Sequence, residues 1–208
     1  MQNLPLVVLA GTVSTYWFWV GAMVVRMRRK TRRDVGLVPQ QPFERMLWLF
    51  YVPMVAAWIV VPWATLEGSR AVPELPAFAV REPAYVALRW IAAIVAVIAL
   101  LATIKVWGQM GSRWRMDVSV EGNAELIVDG FFARVRHPIY ALSILLMLCS
   151  LVIVPTSPML VIAVVHFVLN NVKARNEERH LLRSHGEVYA RYLARTGRFV
   201  PRWLSPAR

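Results

Sequence analysis

The sequence predicts an all-α integral membrane protein with five transmembrane helices and a cytosolic C-terminal helical tail. Hydrophobic residues make up 58% of the 208 residues, and the mean hydropathy is +0.48, well above that of a soluble domain. Five apolar runs alternate with polar or proline-rich segments. Lysine and arginine collect in alternate connections, as they do in multi-pass membrane proteins.

The first three predicted spans fill the N-terminal half of the chain. Residues 4–25, 46–66 and 85–107 are each long enough to cross about 30 Å of hydrocarbon as a helix. Pro53 and Pro62 lie inside the second run and predict a bend there. A proline-rich segment between the second and third runs predicts an outer loop.

The last two predicted spans, residues 138–154 and 159–172, are shorter than the ~20 residues of a standard span. A proline-containing turn joins them. We expect the second to continue as one helix past Lys173 into the polar tail. The chain then divides into residues 1–104, with the first three spans, and residues 105–208, with the last two spans and the tail.

The positive charges predict the orientation of the chain. Of its 24 lysines and arginines, 21 fall in residues 26–45, 105–137 and 173–208, which predicts an N-terminus outside and a C-terminus in the cytoplasm. Arg89 lies near the outer end of the third span, and we expect its side chain to reach the headgroups. The net charge of +12 sorts by side of the membrane, which predicts contact with membrane lipids and not with nucleic acid. The compact, arginine-rich chain favours a prokaryotic plasma membrane.

A cationic turn that contains a histidine leads into the fourth apolar run. Its proline stands where a helix would begin, a position that tolerates the missing amide hydrogen. The amides at a helix start and the neighbouring arginine favour an anion. The alternative is that the basic residues are only a topology signal. The candidate residues of the turn are Gly130, Val135, Arg136, His137, Pro138 and Tyr140.

A polar stripe runs along the predicted fifth helix, where His166, Asn170 and Glu177 share one face. Intramembrane His and Asn are functional candidates, with a helix–helix hydrogen bond as the alternative. Because Glu177 and Glu178 are adjacent, we expect only one to enter a site, preferably Glu178, while the other is solvated or paired with a nearby arginine. Two adjacent carboxylates without suitably spaced His or Cys partners predict no metal site.

Three separated motifs occur in order within residues 105–203, and together they resemble the isoprenylcysteine carboxyl methyltransferase family and its prokaryotic relatives. Leu142 stands where that family often has glycine, and this bulkier residue leaves the acceptor tunnel, and hence the identity of the substrate, open. The motifs are Gly130-x-Phe132-x-x-Val-Arg136-His137-Pro138-x-Tyr140, then Glu177-Glu178-x-x-Leu181, then Gly186-x-x-Tyr189-x-x-Tyr192-x-x-x-x-Gly197-Arg198.

The resemblance implies a multi-pass membrane enzyme that uses S-adenosylmethionine (SAM) and a lipophilic acceptor entering from the bilayer. An arginine suits the carboxylate of SAM, a glutamate suits its ammonium, and tyrosine rings suit its sulfonium or adenine. The cofactor-binding residues expected are Gly130, Val135, Arg136, His137, Pro138, Tyr140, Glu177, Glu178, Leu181, Tyr189 and Tyr192.

The identity of the methyl acceptor stays open at this point. It is the carboxylate of a prenylcysteine-like substrate, a phospholipid amine or a small thiol. An amine or thiol must first lose a proton, and Glu178 or His166 is the candidate base, with Asn170 beside His166 as the third candidate catalytic residue. Two other classes compete: an oxidoreductase resembling sterol reductases, and a non-enzymatic membrane protein. The oligomeric state is not indicated.

Overall fold

The computed structural model describes residues 3–31, 41–111 and 126–202, and within these ranges the only regular elements are helices. This confirms the all-α class. A 3₁₀ turn over Gly130–Ala133 precedes the fifth helix. The six α-helices in these ranges are α1 (Leu4–Thr31), α2 (Pro42–Leu66), α3 (Ala77–Arg81), α4 (Pro83–Met110), α5 (Pro138–Ile153) and α6 (Ser157–Arg195).

Four of these helices are long and apolar enough to cross a membrane, namely α1, α2, α4 and α6. They support a multi-pass membrane protein. Helix α5 has 16 residues and is shorter than a standard span. The count of five spans and the orientation of the termini therefore stay predictions.

Helix α6 continues past Lys173 in one piece, as the sequence predicted. It has 39 residues and a single position with non-helical dihedral angles, Gly186, where φ is 51° and ψ is −126°. Glycine reaches a positive φ without the steric penalty that a Cβ atom adds. The chain changes direction there, and Tyr189 beyond it is 1% exposed. The end of α6 is thereby packed against the bundle.

The centre of the core is Trp58 on α2, which is completely buried. Its indole Nε1 donates a hydrogen bond to Ser150 Oγ on α5 at 2.9 Å. Its ring meets the Trp17 ring edge-on, with centroids 6.1 Å apart, and the His166 ring at 5.0 Å. Helix α2 runs without interruption through both of its prolines. Trp58 therefore joins α1, α2, α5 and α6.

Helix α4 packs against α5 and α1. Its buried face contains Ala92, Ala93, Ala96 and Ala99. Small residues let membrane helices approach closely, and close packing replaces the hydrophobic driving force that lipid does not provide. The alanine face of α4 accounts for this tight contact.

Arg89 on α4 is completely buried, and the expectation that it reaches the headgroups is wrong. Its Nε donates to the Ile153 carbonyl at 3.1 Å, and its Nη1 donates to the Ala79 carbonyl at 3.0 Å. These carbonyls lie in the last turns of α5 and α3, where no helical amide is available to them. Arg89 was misread because α3, a short helix within the predicted outer loop, brings an acceptor that the local sequence does not indicate.

Replacing Arg89 by methionine is expected to lower the free energy of unfolding in detergent by about 2–4 kcal/mol, because two buried carbonyls lose their donor. Circular dichroism during detergent unfolding measures the change. Arg81→Met is the matched control, since Arg81 is exposed. Equal losses of stability in the two variants would contradict the bonding role of Arg89.

Candidate functional site

The turn before α5 is fixed by the chain that follows α6. The Arg136 amide donates to the Gly197 carbonyl at 2.8 Å, and the His137 amide donates to the Arg198 carbonyl at 3.1 Å. Val135 and Gly197 form an isolated parallel β-bridge. Backbone hydrogen bonds therefore join two segments that are distant in the sequence at the start of α5.

Gly197 is required at this bridge for steric reasons. A Cβ atom at position 197 would lie 1.7 Å from the carbonyl oxygen of Val200. That atom belongs to the backbone, so a side-chain rotation cannot relieve the clash. Gly197, the second glycine of the third sequence motif, is thus explained by the close approach of the chain to itself.

Glu178 is the centre of an ionic cluster beside this bridge. Arg136 Nε donates to Glu178 Oε1 at 3.0 Å, and Arg198 Nη2 donates to Glu178 Oε2 at 2.6 Å. Arg198 Nη1 also donates to Asn171 Oδ1 at 2.9 Å. Burial raises the pKa of Glu178, but contacts with His137 and both guanidinium groups outweigh it and hold the pKa well below its usual value. Glu178 is therefore a buried carboxylate that stays ionised.

His137 lies between the two glutamates. Its Nδ1 is 3.3 Å from Glu177 Oε2, and its Nε2 is 3.4 Å from Glu178 Oε1. Burial lowers the pKa of His137, but the two carboxylates outweigh burial and raise the pKa above the ordinary 6.5. Only Glu177 of the pair also lines the adjoining cavity, so one glutamate enters the site as expected, but the preference for Glu178 is wrong because that side chain is paired with arginines. Both glutamates nevertheless contact His137. An imidazole offers a nitrogen on each of two edges, so two adjacent helical positions can flank one ring.

Tyr140 completes the charged side of the site. Its ring stacks on His137 with centroids 5.4 Å apart and an interplanar angle of 6°. Its hydroxyl donates a hydrogen bond to Glu177 Oε1. Tyr192, beyond the bend at Gly186, donates from its hydroxyl to the Phe132 carbonyl at 2.6 Å. The first bond joins α5 to Glu177 on α6, and the second joins the end of α6 to the 3₁₀ turn before α5.

A cavity of about 310 Å³ adjoins the charged cluster. Its wall combines side chains that carry charge with aromatic rings that contact one another. Tyr16 and Trp107 have ring centroids 5.3 Å apart, and Trp17 and Tyr51 have centroids 6.1 Å apart. The charged lining residues are Glu44, Arg136, His137, Lys173 and Glu177, and the aromatic ones are Tyr16, Trp17, Trp48, Tyr51, Trp107, Phe132, Tyr140, Tyr189 and Tyr192.

Most of the residues predicted to bind the cofactor line this cavity. Three of them do not. Gly130 begins the 3₁₀ turn, and Val135 forms the bridge with Gly197. Glu178 lies behind the wall, where it pairs with Arg136 and Arg198. The predicted residues on the wall are Arg136, His137, Pro138, Tyr140, Glu177, Leu181, Tyr189 and Tyr192.

His166 and Asn170 are buried and contact each other. Asn170 Nδ2 lies 2.9 Å from His166 Nε2, and Ser143 Oγ on α5 lies 3.3 Å from the same nitrogen. Ser143 is part of the cavity wall, whereas His166 and Asn170 lie one layer behind it. The polar stripe thus forms the helix–helix contact that the sequence left as an alternative, and it reaches the cavity through Ser143.

Helices α1 and α2 contribute lining residues that belong to none of the sequence motifs and were not predicted. Glu44, Leu47, Trp48 and Tyr51 all face the cavity from α2. Their spacing places them on one face of a helix. A lone carboxylate followed by aromatic residues at that spacing was the signal that could have found them.

Comparison with known proteins gives one family. Residues 90–183 match the model of the Isoprenylcysteine carboxyl methyltransferase (ICMT) family, whose members are methyltransferases. A search of curated proteins finds no match. The matched region contains the turn before α5 and both glutamates, whereas α1 and α2 lie outside it. The match confirms the predicted resemblance over the first two motifs, so the chain is ICMT-like from within α4 to the middle of α6. The third motif, which begins at Gly186, lies beyond the matched residues.

Proposed function

We propose that the protein is a SAM-dependent membrane methyltransferase that acts on a lipophilic acceptor. The observation that carries the proposal is the cavity that borders both the charged cluster of the motifs and a cluster of aromatic rings. The family match supports methyltransferase chemistry. The apolar helices around the cavity support an acceptor that comes from the bilayer.

The residues of the cavity wall fit the groups of SAM. Arg136 and Lys173 suit a carboxylate, and Glu177 suits an ammonium group. The rings of Tyr140 and Tyr189 suit a sulfonium or an adenine. When bound, SAM supplies an electrophilic methyl group. The volume of the cavity is at the low end of the roughly 300–1,000 Å³ of small-molecule sites. Because this volume leaves little room for a lipid beside SAM, we expect the acceptor to reach the cavity from the bilayer side.

In this proposal the protein acts mainly by alignment and by exclusion of water. Arg136 and His137 are held by Glu178, which makes Glu178 a positioning residue for the cofactor side of the cavity. An acceptor that is already an anion needs no base. For an amine or thiol, Glu178 and His166 were the predicted bases. Glu178 is occupied by two arginines, which favours His166, whose Nε2 is linked to Asn170 and to Ser143 on the cavity wall.

The proposed SAM-binding region can be located along the chain and relative to the membrane. In the proposal, residues 105–208 supply the motifs of the SAM-binding region, and residues 1–104 add three spans and part of the cavity wall. The bias of positive charge supports a site at the cytoplasmic face of a prokaryotic plasma membrane, with the N-terminus outside. The carboxylate of a prenylcysteine-like molecule is the first acceptor to test, followed by a phospholipid amine and a small thiol.

Binding of SAM to the purified protein in detergent is the first expected outcome, measured by calorimetry or by thermal stabilisation. His137→Ala and Glu178→Ala are each expected to weaken binding by about tenfold or more, because each leaves a buried charge without its partner. Glu187→Ala is the matched control, since the Glu187 side chain is 94% exposed on the same helix. Folded protein that binds neither SAM nor its demethylated product would refute the function.

The stability of the protein is expected to fall as the pH rises from about 6.5 through the raised pKa of His137. The folded state binds the His137 proton more tightly than the unfolded state does. Its stabilisation is therefore complete below the unfolded pKa and disappears above the folded one. Thermal midpoints measured across this range should show the fall in the wild type and a smaller fall in His137→Gln. Equal slopes would show that His137 is not the titrating group.

Labelled SAM is expected to transfer its methyl group to a product that extracts into organic solvent. The purified protein is incubated with a lipid extract, with prenylcysteine analogues and, separately, with a panel of small thiols. The chemical stability of the labelled product to base separates a methyl ester from a methylated amine. Label that appears only in water-soluble thioethers would contradict a lipophilic acceptor.

A further inference from the structure

One face of α2 forms part of the cavity outside the region that the family model matches. Glu44, Leu47, Trp48 and Tyr51 line the cavity, at positions that share a helical face. All of them precede residue 90, where the family match begins. The chemistry of this wall therefore belongs to this chain and does not follow from the family motifs.

Glu44 is a buried carboxylate, with 2% of its surface exposed. Asn176 Nδ2 donates a hydrogen bond to Glu44 Oε1 at 3.1 Å and another to Gln41 Oε1 at 3.2 Å. Asn176 precedes Glu177 on α6, so this bond places the start of α2 beside the charged cluster. Position in the first turn of a helix favours a carboxylate, but it does not require that the carboxylate be buried on a cavity wall.

The hydrogen bond from Asn176 offsets part of the cost of burying the Glu44 carboxylate. Glu44 shares the cavity wall with a second carboxylate, Glu177, and with the cations Arg136 and Lys173. The rings of Trp48 and Tyr51 stand on the same helical face, and Tyr51 is packed edge-on against Trp17 at 6.1 Å. A carboxylate together with aromatic rings is the arrangement that binds organic cations.

We propose that Glu44, with Trp48 and Tyr51, recognises a positively charged centre of a bound ligand and that Glu44 determines specificity for it. The inference rests on the proposed function. The shared chemistry is an onium centre with apolar substituents. It belongs either to the sulfonium of the methyl donor or to the ammonium of an amine acceptor.

Binding of SAM and of S-adenosylhomocysteine tests whether the cation at Glu44 is the sulfonium of the methyl donor. S-adenosylhomocysteine lacks the methyl group and the positive charge on sulfur. If Glu44 faces the sulfonium, Glu44→Gln weakens SAM roughly tenfold and changes S-adenosylhomocysteine little. The acceptor source is tested by thermal stabilisation with octylamine and octanol. If Glu44 faces an amine, the wild type prefers octylamine and Glu44→Gln loses that preference.

Two further variants separate recognition from folding. Glu67→Gln is the matched control, because Glu67 is an exposed glutamate just after the other end of α2. Trp48→Leu does not alter the Glu44–Asn176 pair, and it is expected to weaken the same ligand about threefold or more through loss of an aromatic face. Circular dichroism and gel filtration establish that each variant is folded. If Glu44→Gln does not fold, the same binding measurements on Trp48→Leu decide the question.

The inference is overturned if Glu44→Gln and Trp48→Leu keep the wild-type ratio of SAM to S-adenosylhomocysteine and the wild-type difference between octylamine and octanol. Equal weakening of SAM and S-adenosylhomocysteine, with no change toward octylamine, also overturns it, since that pattern reports a general loss of the site. If the wild type binds neither adenosyl compound, the proposed function fails. The octylamine comparison then still decides whether Glu44 recognises a cation.

Discussion

The ion pairs of Glu178 with Arg136 and Arg198 are the interaction on which the rest of the site depends. They join α6, the turn before α5 and the chain after α6 around a carboxylate that is shielded from water. A buried carboxylate between two guanidinium groups is tolerable only while both partners are in place. The three segments therefore assemble together, and the direction in which His137 faces the cavity is a consequence of that assembly.

The two halves of the chain contribute different chemistry to one cavity. Residues 105–208 supply the ionic cluster and three tyrosines, whereas α1 and α2 supply most of the remaining rings and the Glu44 carboxylate. Fixed charges can hold a polar cofactor in one orientation, while packed rings accept apolar groups of varied shape. In the proposed enzyme, a division of this kind would let the apolar groups of a ligand change through α1 and α2 while the ionic cluster stays the same.

The sequence was sufficient to predict those features that depend on short stretches of the chain. Apolar runs predict membrane helices, and the Arg-His-Pro turn and the Glu-Glu pair stand in short patterns, so those elements were found. Arg89 was misread because one acceptor, the Ile153 carbonyl, is far from it in the chain, and the other is on α3, a helix that the sequence did not predict. Both glutamates contact His137 because the ring lies between them, a fact that depends on the docking of the turn. Glu44 belongs to no motif, so only packing reveals it.

The length of α5 has a consequence for how the two substrates meet. Sixteen residues extend about 24 Å as a helix, several ångströms less than the ~30 Å of a bilayer core. Arg89 and Tyr85 bind the carbonyls at its far end. If that end is level with one border of the hydrocarbon, the His137 end lies below the opposite border, in a depression of the membrane surface. In the proposed methyltransferase, a water-soluble donor would enter this depression, and a lipid would meet it there without leaving its leaflet.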